Sequence, residues 1–416
     1  MDKNVDFDQY EYYNEFMNFE STLKQFFKYP DEFNEILKEK INSSSSIHFN
    51  LLINDQNAFF YYNLPMFEKI LSLVGKSNEL KSIFNTLPAI AAKQYIRNSL
   101  VAEVKKTNEI EGVFSSRKEI FELAEDLKKK ESNRISSIVN KYLLLLNGKS
   151  NKEIRTCGDI RKIYDDLFES NGESLIEAKN KPDGLYFRNN FVGVYDASNK
   201  LIHKGIVGEK NIISAMEEAL GFLNNKDINI FVRIALFHYI FEYAYPFYDG
   251  NGRVGRYIIS QQLYTETQDV FAFRVSAAIN SMKNKYYKAF EDTEDKRNYG
   301  DISLFVYELL DIFDNEYDKS IVYASQKRNA LEEIRKELIV NNKYKCESKH
   351  QMDVLWVLIQ ASVFSDFGVS LKEITKTLSI SAKTIRRALD HFKSLGILTE
   401  NKILRVIYYS INDIQY

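Results

Sequence analysis

The stretch YPFYDGNGRVGR, from Tyr245 to Arg256, holds the residues best suited to chemistry in this chain of 416 residues. Gly250 and Gly252 flank Asn251. Glycines at this spacing let backbone N–H groups point inward together and form a cradle for an anion. A helix that starts at this loop would add the positive end of its dipole. The pattern therefore predicts a site for phosphate groups.

Two arginines and a carboxylate stand beside this cradle. Arg253 and Arg256 are three residues apart, so both side chains can reach the same side of the helix start. A guanidinium group binds phosphate oxygens through two parallel hydrogen bonds. Asp249 offers the hard oxygen ligands that suit Mg²⁺ when it bridges two phosphates. Together these residues predict a nucleotide polyphosphate bound with Mg²⁺.

This loop resembles the Fic family motif, H-x-F-x-[D/E]-G-N-G-R-x-x-R, at every fixed position except the first, where Tyr245 replaces histidine. Upstream, TNEIEG (Thr107–Gly112) is similar to the family's inhibitory motif, [S/T]-x-x-x-E-[G/N], in its N-terminally inhibited class. Residues 191–204 lie where the family has a hairpin flap that docks the target. The resemblance spans about residues 90–315.

The resemblance implies a function and assigns roles to the loop. Family members transfer AMP from ATP to a hydroxyl group of a protein, with Mg²⁺ as cofactor. Asp249 would bind the metal between the α and β phosphates. Asn251, with the backbone of Gly250 and Gly252, would hold those two phosphates. Phe247 would anchor the loop in the core.

The resemblance also implies an inhibitory contact. Arg253 and Arg256 would bind the β and γ phosphates. Glu111 would pair with Arg256, and this pairing would hold ATP in an unreactive pose. Thr107 and Gly112 complete the inhibitory motif around Glu111.

The tyrosine at the first motif position puts catalysis in question. In the family a histidine takes the proton of the attacking hydroxyl, because its pKa lies near neutral pH. The phenol of Tyr245 has an ordinary pKa of about 10 and stays protonated at neutral pH. Loss of a general base costs about 10²–10⁴-fold in rate. We expect Arg253 and Mg²⁺ to lower the pKa of Tyr245 somewhat.

No other histidine is an obvious replacement. His238 lies seven residues before Tyr245, about 10 Å along a helix, which is too far for direct proton transfer and favours a structural role. His203, at the end of the predicted flap, is a weaker candidate base. The remaining histidines belong to no visible cluster: His48, His350 and His391.

Three functional hypotheses follow. The first is a slow adenylyltransferase that uses Tyr245 in an unusual way, or whose Tyr245 itself receives AMP. The second is a catalytically inactive protein that binds a nucleotide through the intact cradle. The third is a hydrolase that removes AMP with water activated by Glu111, which ranks last because it also needs the histidine. A DNA-binding regulator is the further alternative, and a homodimer is left open.

Composition and periodicity predict a mostly α fold with a small β-hairpin flap. The chain has 5 prolines and 16 glycines, so few residues break helices. We predict an N-terminal helical region (1–89), a Fic domain (90–315) with its inhibitory helix at about 97–112, a helical connector (316–350) and a C-terminal domain (351–416). The flap would turn at Asp196–Asn199.

Bulk properties indicate a cytoplasmic protein without a membrane anchor. The hydrophobic fraction is 44%, the charged fraction is 27% and the net charge is −2. No apolar run approaches the length of a membrane helix, and the acidic, aromatic start does not resemble a signal peptide. Cys157 and Cys346 are 189 positions apart and are predicted to be reduced thiols.

The C-terminal segment, residues 351–416, predicts a winged helix with strands around Asn401. Its recognition helix would begin after Ser381, with Ile385, Leu389, Phe392 and Leu395 facing the core. From Leu371 to Arg405, eight Lys or Arg against three Asp or Glu give a local charge of +5. This patch favours DNA binding, with docking to a protein as the alternative. The predicted DNA contacts are Lys383, Arg386 and Arg387.

Overall fold

The computed structural model describes residues 19–125, 135–150, 153–170, 173–174, 176–195, 198–199, 201–341 and 344–412. Within these ranges most residues are helical, as the scarcity of glycine and proline predicts, and small antiparallel sheets complete the fold. No helix among them is long and apolar enough to cross a membrane.

The helices form most of the core. They are α1 (Thr22–Lys28), α2 (Phe33–Asn42), α3 (Leu64–Thr86), α4 (Ala89–Ile110), α5 (Arg117–Glu125), α6 (Ser136–Leu146), α7 (Cys157–Phe168), α8 (Glu209–Asn224), α9 (Ile230–Ala244), α10 (Asn251–Thr267), α11 (Val275–Ser281), α12 (Lys283–Thr293), α13 (Ser303–Asn341), α14 (Lys349–Phe364), α15 (Leu371–Leu378) and α16 (Ala382–Ser394).

The strands of the described residues are short and form four small sheets. They are β1 (Ser46–Ile53) with β2 (Gln56–Tyr61), β3 (Glu169–Ser170) with β4 (Glu173–Ser174), β5 (Gly193–Tyr195) with β6 (Leu201–Lys204), and β7 (Val369–Ser370), β8 (Leu398–Ile403) and β9 (Val406–Ile411) in the order β7-β9-β8.

Helix α9 is the central helix of the fold. Its sequence is apolar on every side, and a helix of this kind is stable only when other elements surround it. It packs against α8, α10 and α13. The side chain of Asn229 caps its start by accepting a hydrogen bond from the N–H of Phe231 at 3.0 Å. Since α9 ends at Ala244, this buried helix fixes the position of the loop that follows.

Helix α13 packs against α3 and against the central helix α9. It runs beside α3, and Lys69 of α3 forms ion pairs with Asp311 at 2.8 Å and with Asp314 at 3.2 Å. It is continuous for 39 residues and passes through position 315, where the sequence predicted a change from domain to connector. The predicted domain limits therefore fall inside a helix here.

A hairpin interrupts residues 1–89, which were predicted to form a helical region. Strands β1 and β2 pair in antiparallel fashion. Asn54 and Asp55 join them with positive φ angles of 49° and 66°, as a tight primed turn requires. The N–H of Phe59 donates to the carbonyl of Gly300 at 3.0 Å, which ties the hairpin to the residues before α13. An Asn-Asp pair between apolar strands was the missed signal.

The C-terminal unit combines three helices, α14 to α16, with the three-stranded sheet, and it packs against α4 and α5. Arg97 of α4 contacts Glu373 at 2.8 Å, and the hydroxyl of Tyr408 donates to Glu125 at 2.7 Å. Asn401 lies within β8 rather than between the strands. The prediction that Leu395 faces the core is wrong, because its side chain is 37% exposed after the end of α16.

Candidate active site

The loop between α9 and α10 begins with a left-handed residue. Tyr245 has φ 51° and ψ 61°, and its N–H still donates to the carbonyl of Phe241 as the cap of α9. Two residues later Phe247 is fully buried, with its ring stacked on Tyr164 at a centroid distance of 4.0 Å. The chain thus turns sharply at Tyr245 and is anchored in the core at Phe247.

The side chain of Asn251 closes this loop. Its Oδ1 accepts from the N–H of Phe247 at 2.9 Å, and its Nδ2 donates to the carbonyl of the same residue at 2.8 Å. Asn251 is 1% exposed. The side chain of Asn251 therefore stabilises the shape of the loop. Its backbone N–H, at the start of α10, is the group that could bind a phosphate at this position.

Arg188 is a buried arginine that was not predicted from the sequence, and it binds backbone carbonyls at the start of the loop. The guanidinium of Arg188 donates to the carbonyl of Tyr245 at 2.7 Å and to those of Ala244 at 3.2 Å and Ile206 at 2.8 Å. It satisfies carbonyls that the end of α9 leaves without partners. A single arginine in a polar segment gave no signal of this role.

The glycines of the loop leave no room for a side chain. A Cβ on Gly250 would lie 2.6 Å from the ring of Phe168, and the φ of Gly250 is +87°. A Cβ on Gly252 would overlap the carboxylate of Glu111. The Glu111 carboxylate therefore lies directly over the first turn of α10, where orphan N–H groups and the helix dipole attract an anion.

Arg256 is buried and paired with the predicted inhibitory motif. Its Nη2 donates to Oε1 of Glu111 at 2.7 Å and to the carbonyl of Thr107 at 3.0 Å. Its Nε donates to the hydroxyl of Thr107 at 3.1 Å. Helix α4 ends at Ile110, so Glu111 is its cap, and Gly112 follows with φ +73°. The structure thus brings together residues that are about 145 positions apart.

Arg253 and Asp249 contact each other within the same loop. The guanidinium of Arg253 lies over the ring of Phe168 at 4.5 Å, and its Nη2 is 3.4 Å from Oδ1 of Asp249. The Nε of Arg253 is buried and has no hydrogen-bond partner among the described residues. A buried donor without a partner is costly, which suits a site that an anion completes.

Asp249 fits a single Mg²⁺ ion whose other ligands come from phosphates and water. Its side chain is 44% exposed and faces the same loop as the cradle. Within the described ranges, no group of three His, Cys, Asp or Glu side chains could hold a metal alone. Mg²⁺ typically binds one or two protein carboxylates together with substrate phosphates. A lone carboxylate beside the cradle has the chemistry that this ion requires.

The phenol of Tyr245 is less acidic than expected. Burial raises its pKa above the ordinary value, and the charges of Glu242 and Glu111 raise it further. The expectation that Arg253 would lower this pKa is wrong for the protein chain itself, because carboxylates rather than cations dominate the surroundings of the phenol. Tyr245 therefore stays protonated at neutral pH and can donate a hydrogen bond.

A cavity of about 690 Å³ opens beside the loop. The carboxylates of Glu111 and Glu242 line it close to the phosphate cradle. Other lining residues belong to the β5–β6 hairpin and to α12. Its polar lining includes Glu111, Glu242, Tyr245, Arg256, His203 and Asn284. Glu242 was not predicted from the sequence, although a glutamate within an apolar helix is a recognisable signal.

Residues 156–263 match the family model described as Fic/DOC family. The chain contains a Fic/DOC family domain. This family consists of AMPylating enzymes. The matched segment includes the phosphate loop, the β5–β6 hairpin and α7 to α9, whereas the Glu111 motif and the C-terminal unit lie outside it.

Solved Fic structures resemble the chain at low identity. A Fic family protein from Desulfovibrio desulfuricans G20 has a TM-score of 0.44 and 18% identity, over 86% of this chain and 98% of that one. Fic-1 from C. elegans has a TM-score of 0.44 and 18% identity, over 63% of this chain and 73% of that one. A Fic domain containing signaling protein from Bacteroides thetaiotaomicron has a TM-score of 0.42 and 16% identity, over 62% of this chain and 97% of that one.

The two histidines nearest the loop of the Fic/DOC domain both have hydrogen-bond partners. His238 is buried in the core, and its Nε2 is 2.8 Å from the hydroxyl of Tyr286. Burial lowers the pKa of His238 to about 3, so it is neutral. His203 contacts the carbonyl of Tyr243 through Nε2 at 3.1 Å and Glu294 through Nδ1 at 2.9 Å. His238 does not line the cavity, and both ring nitrogens of His203 already have contacts.

At the position of the predicted flap, β5 and β6 form a hairpin that pairs Val194 with His203. Asp196 and Ala197 of the predicted turn lie outside the described residues. Tyr195 is 50% exposed and Ile202 is 57% exposed, so the hairpin presents apolar side chains to solvent. An exposed apolar edge beside the cavity is suited to docking a protein.

The predicted DNA contacts lie outside the Fic/DOC domain. Lys383, Arg386 and Arg387 are exposed on α16. Helix α16 begins after Ser381, whose hydroxyl accepts from the N–H of Thr384 at 3.1 Å, as predicted. Winged-helix character and DNA binding stay predictions for this unit.

Gly250→Ala is expected to destabilise the Fic/DOC domain by about 2 kcal/mol or more, because the new Cβ would be strained at positive φ and would overlap the buried ring of Phe168. Gly221→Ala on α8 is the matched control, since a Cβ there meets nothing. The control should be stabilised by about 0.5–1 kcal/mol. Urea unfolding measures both, and equal effects would contradict the prediction.

Proposed function

We propose that this protein binds ATP with Mg²⁺ and transfers AMP to a hydroxyl group of a protein. One observation carries the proposal. The carboxylate of Glu111 lies over the first turn of α10 and 2.7 Å from Arg256, so it stands in for a phosphate group of the nucleotide. A site that already holds one anion through a helix N-terminus and a guanidinium is suited to another.

The remainder of the loop supports a polyphosphate rather than a single phosphate. Arg253 has a buried Nε without a hydrogen-bond partner in the part of the chain that the structure describes, and it would bind a second phosphate group. Asp249 would hold Mg²⁺, which, when bound, neutralises part of the charge on the phosphates. The cavity beside the loop has room for the nucleotide and for the hydroxyl of a target docked at residues 191–204.

The proposed reaction is a displacement at the α phosphorus. The oxygen of the target hydroxyl forms a bond to this phosphorus while the bond to the oxygen that bridges to the β phosphate breaks, and pyrophosphate leaves. The cradle and the two arginines orient the phosphates and stabilise the charge that develops on them. The hydroxyl proton must also leave, and Tyr245 is a poor acceptor because it is already protonated.

Glu111 is proposed to inhibit this reaction. While its carboxylate occupies Arg256, the guanidinium cannot bind the terminal phosphate, and ATP either binds weakly or sits in an unreactive position. The contact joins α4 to α10 and is backed by two hydrogen bonds from Arg256 to Thr107. Inhibition is therefore part of the resting fold.

A second candidate is a protein that binds nucleotide without transferring AMP. The raised pKa of Tyr245 favours it, because the position of the family's general base holds a group that cannot accept a proton at neutral pH. Both candidate functions use the cradle to bind the nucleotide. They differ only in whether AMP is transferred to a protein hydroxyl.

The deciding experiment uses the Glu111→Gly protein with Mg²⁺ and ATP radiolabelled at either the α or the γ phosphate. AMP transfer predicts label on protein from the α position alone, on this chain or on proteins of a cell extract. Asp249→Asn in the same background should reduce this label by about 100-fold, because the metal carboxylate is lost. Calorimetric heat with ATP but no label would leave only nucleotide binding. The absence of both would exclude either function.

A further inference from the structure

Glu242 lies where a proton acceptor for the transfer would have to be. It belongs to the last turn of α9, three residues before Tyr245. Both line the cavity, together with Glu111, Gly252 and Arg256 of the cradle. The side chain of Glu242 is 12% exposed. It is thus a nearly buried carboxyl group with access to the site.

One oxygen of this carboxyl group has no hydrogen-bond partner in the described ranges. This oxygen, Oε1 of Glu242, is buried, and among the same residues Nδ1 of His238 is likewise buried without a partner. These two atoms face each other at 4.0 Å. The other ring nitrogen of His238 is 2.8 Å from the hydroxyl of Tyr286. Three polar side chains therefore form a row that leads from the core to the cavity. Buried polar atoms without partners are rare and call for a reason.

Gly255 encloses this row. A Cβ at this position would lie 2.7 Å from Oε1 of Glu242 and 3.0 Å from Nδ1 of His238. Helix α10 can approach α9 this closely only because residue 255 has no side chain. The close packing of α10 on α9 shields Oε1 of Glu242 from water. The carboxyl group of Glu242 can therefore contact solvent only from the side of the cavity.

We propose that Glu242 accepts the proton of the target hydroxyl, in the role that the motif histidine has in the family. The inference rests on the proposed AMP transfer. The O–H bond of the target breaks, its oxygen binds the α phosphorus, and the electron pair of the broken P–O bond leaves with pyrophosphate. The proton goes to the Glu242 carboxylate, and solvent in the cavity then removes it.

The other candidates in the cavity are less suited. Burial and neighbouring carboxylates keep Tyr245 protonated. Both ring nitrogens of His203 are occupied, by Tyr243 and Glu294. Burial is the main reason that the pKa of Glu242 is raised to about 8. The positive charge of Arg256 lowers this pKa, whereas the negative charge of Glu111 raises it. A base is most effective when its pKa lies near the working pH, and Glu242 meets this condition.

The groups that face Glu242 set the expected pH dependence. From α10 and the end of α4 these are Arg256 and Glu111. The remaining neighbours are Tyr286 and Tyr287 of α12, His238 and Tyr245. Across the cavity lie His203, Lys288, Glu291 and Glu294. Because Glu111 raises the pKa of Glu242, its removal should move the rise in activity to a pH below about 8.

The test compares Glu242→Gln with Glu291→Gln, both in the Glu111→Gly background. Glu291 is a matched control, since it lines the cavity but its side chain is 73% exposed and is paired with Lys288. The initial rate of AMP transfer is measured from acidic to alkaline pH. Glu242→Gln should lower the rate by about 100-fold and abolish its rise with pH. Glu291→Gln and Tyr245→Phe should keep the rise, and Glu242→Asp should keep it at a lower rate.

ATP affinity separates the proposed role from a loss of folding. Calorimetry should show unchanged ATP binding in Glu242→Gln, because this change removes a proton acceptor and no phosphate contact. A Glu242→Gln protein that keeps both the rate and the pH dependence would overturn the inference while leaving AMP transfer in place. If the Glu111→Gly protein transfers no AMP at all, the proposed function fails and the inference fails with it.

Discussion

Replacing Glu111 with glycine is expected to raise ATP affinity and AMP transfer by about 10–100-fold. The carboxylate of Glu111 contacts Arg256 at 2.7 Å, and charge-assisted hydrogen bonds of this kind contribute about 1.5–3 kcal/mol. Its removal frees Nη2 of Arg256 for a phosphate, while Thr107 still holds the guanidinium in place. Glycine is acceptable at 111, because this residue caps α4 and lies outside the regular helix.

Glu109→Gly provides the control for this prediction. Glu109 is an acid in the same last turn of α4, but it pairs with Lys105 and Lys106 rather than with the cradle. ATP affinity is measured by calorimetry, and transfer is measured with label at the α phosphate. An equal gain from Glu109→Gly would attribute the effect to loosening of the helix end. No gain from Glu111→Gly would show that the contact with Arg256 does not oppose nucleotide binding.

The phosphate loop was predictable because its chemistry is local in sequence. Asp249, Arg253 and Arg256 fall within eight residues, and glycines between them specify the backbone shape. The mostly helical fold followed from periodic apolar residues with few helix breakers. The Fic/DOC match confirms the family prediction for residues 156–263.

Features that depend on contacts between distant segments could not be predicted. Arg188 supports the loop through carbonyls up to 57 residues away, and no local pattern marks that role. The raised pKa of Tyr245 depends on its burial and on Glu242 and Glu111, which come from different helices. The N-terminal hairpin differs in kind, because the Asn54–Asp55 turn was visible in the sequence and was overlooked among helical signals.

Tyr245→His in the Glu111→Gly background is expected to raise AMP transfer at neutral pH by up to about 10-fold, because a carboxyl group with a pKa of about 8 is only about one-tenth ionised at pH 7. Glu242 is largely protonated at neutral pH in the resting protein, because burial raises its pKa to about 8. Removal of Glu111 lowers this pKa, so the resting value sets the upper limit of the gain. An imidazole with an ordinary pKa of about 6.5 is mostly neutral there and can accept a proton. The gain should therefore be greatest at neutral pH and should shrink as Glu242 ionises at higher pH.

The backbone at position 245 also favours histidine. Tyr245 adopts the left-handed conformation with φ 51°, which histidine occupies more readily than most residues with a side chain. Arg188 binds the carbonyl of this residue, so the contact that holds the loop does not depend on the side chain. The substitution thus changes the proton chemistry while the cradle keeps its shape, and ATP affinity should stay constant.

Tyr248→His isolates the effect of position from the effect of residue type. Tyr248 lies in the same loop, but its hydroxyl donates to Asp183 and accepts from the N–H of Asn190. It should show no gain in initial rate. Equal rates for Tyr245→His and its parent would mean that proton removal is not the slow step. A gain that persists unchanged at alkaline pH would mean that Glu242 contributes nothing there, because an ionised Glu242 should by itself restore most of the rate.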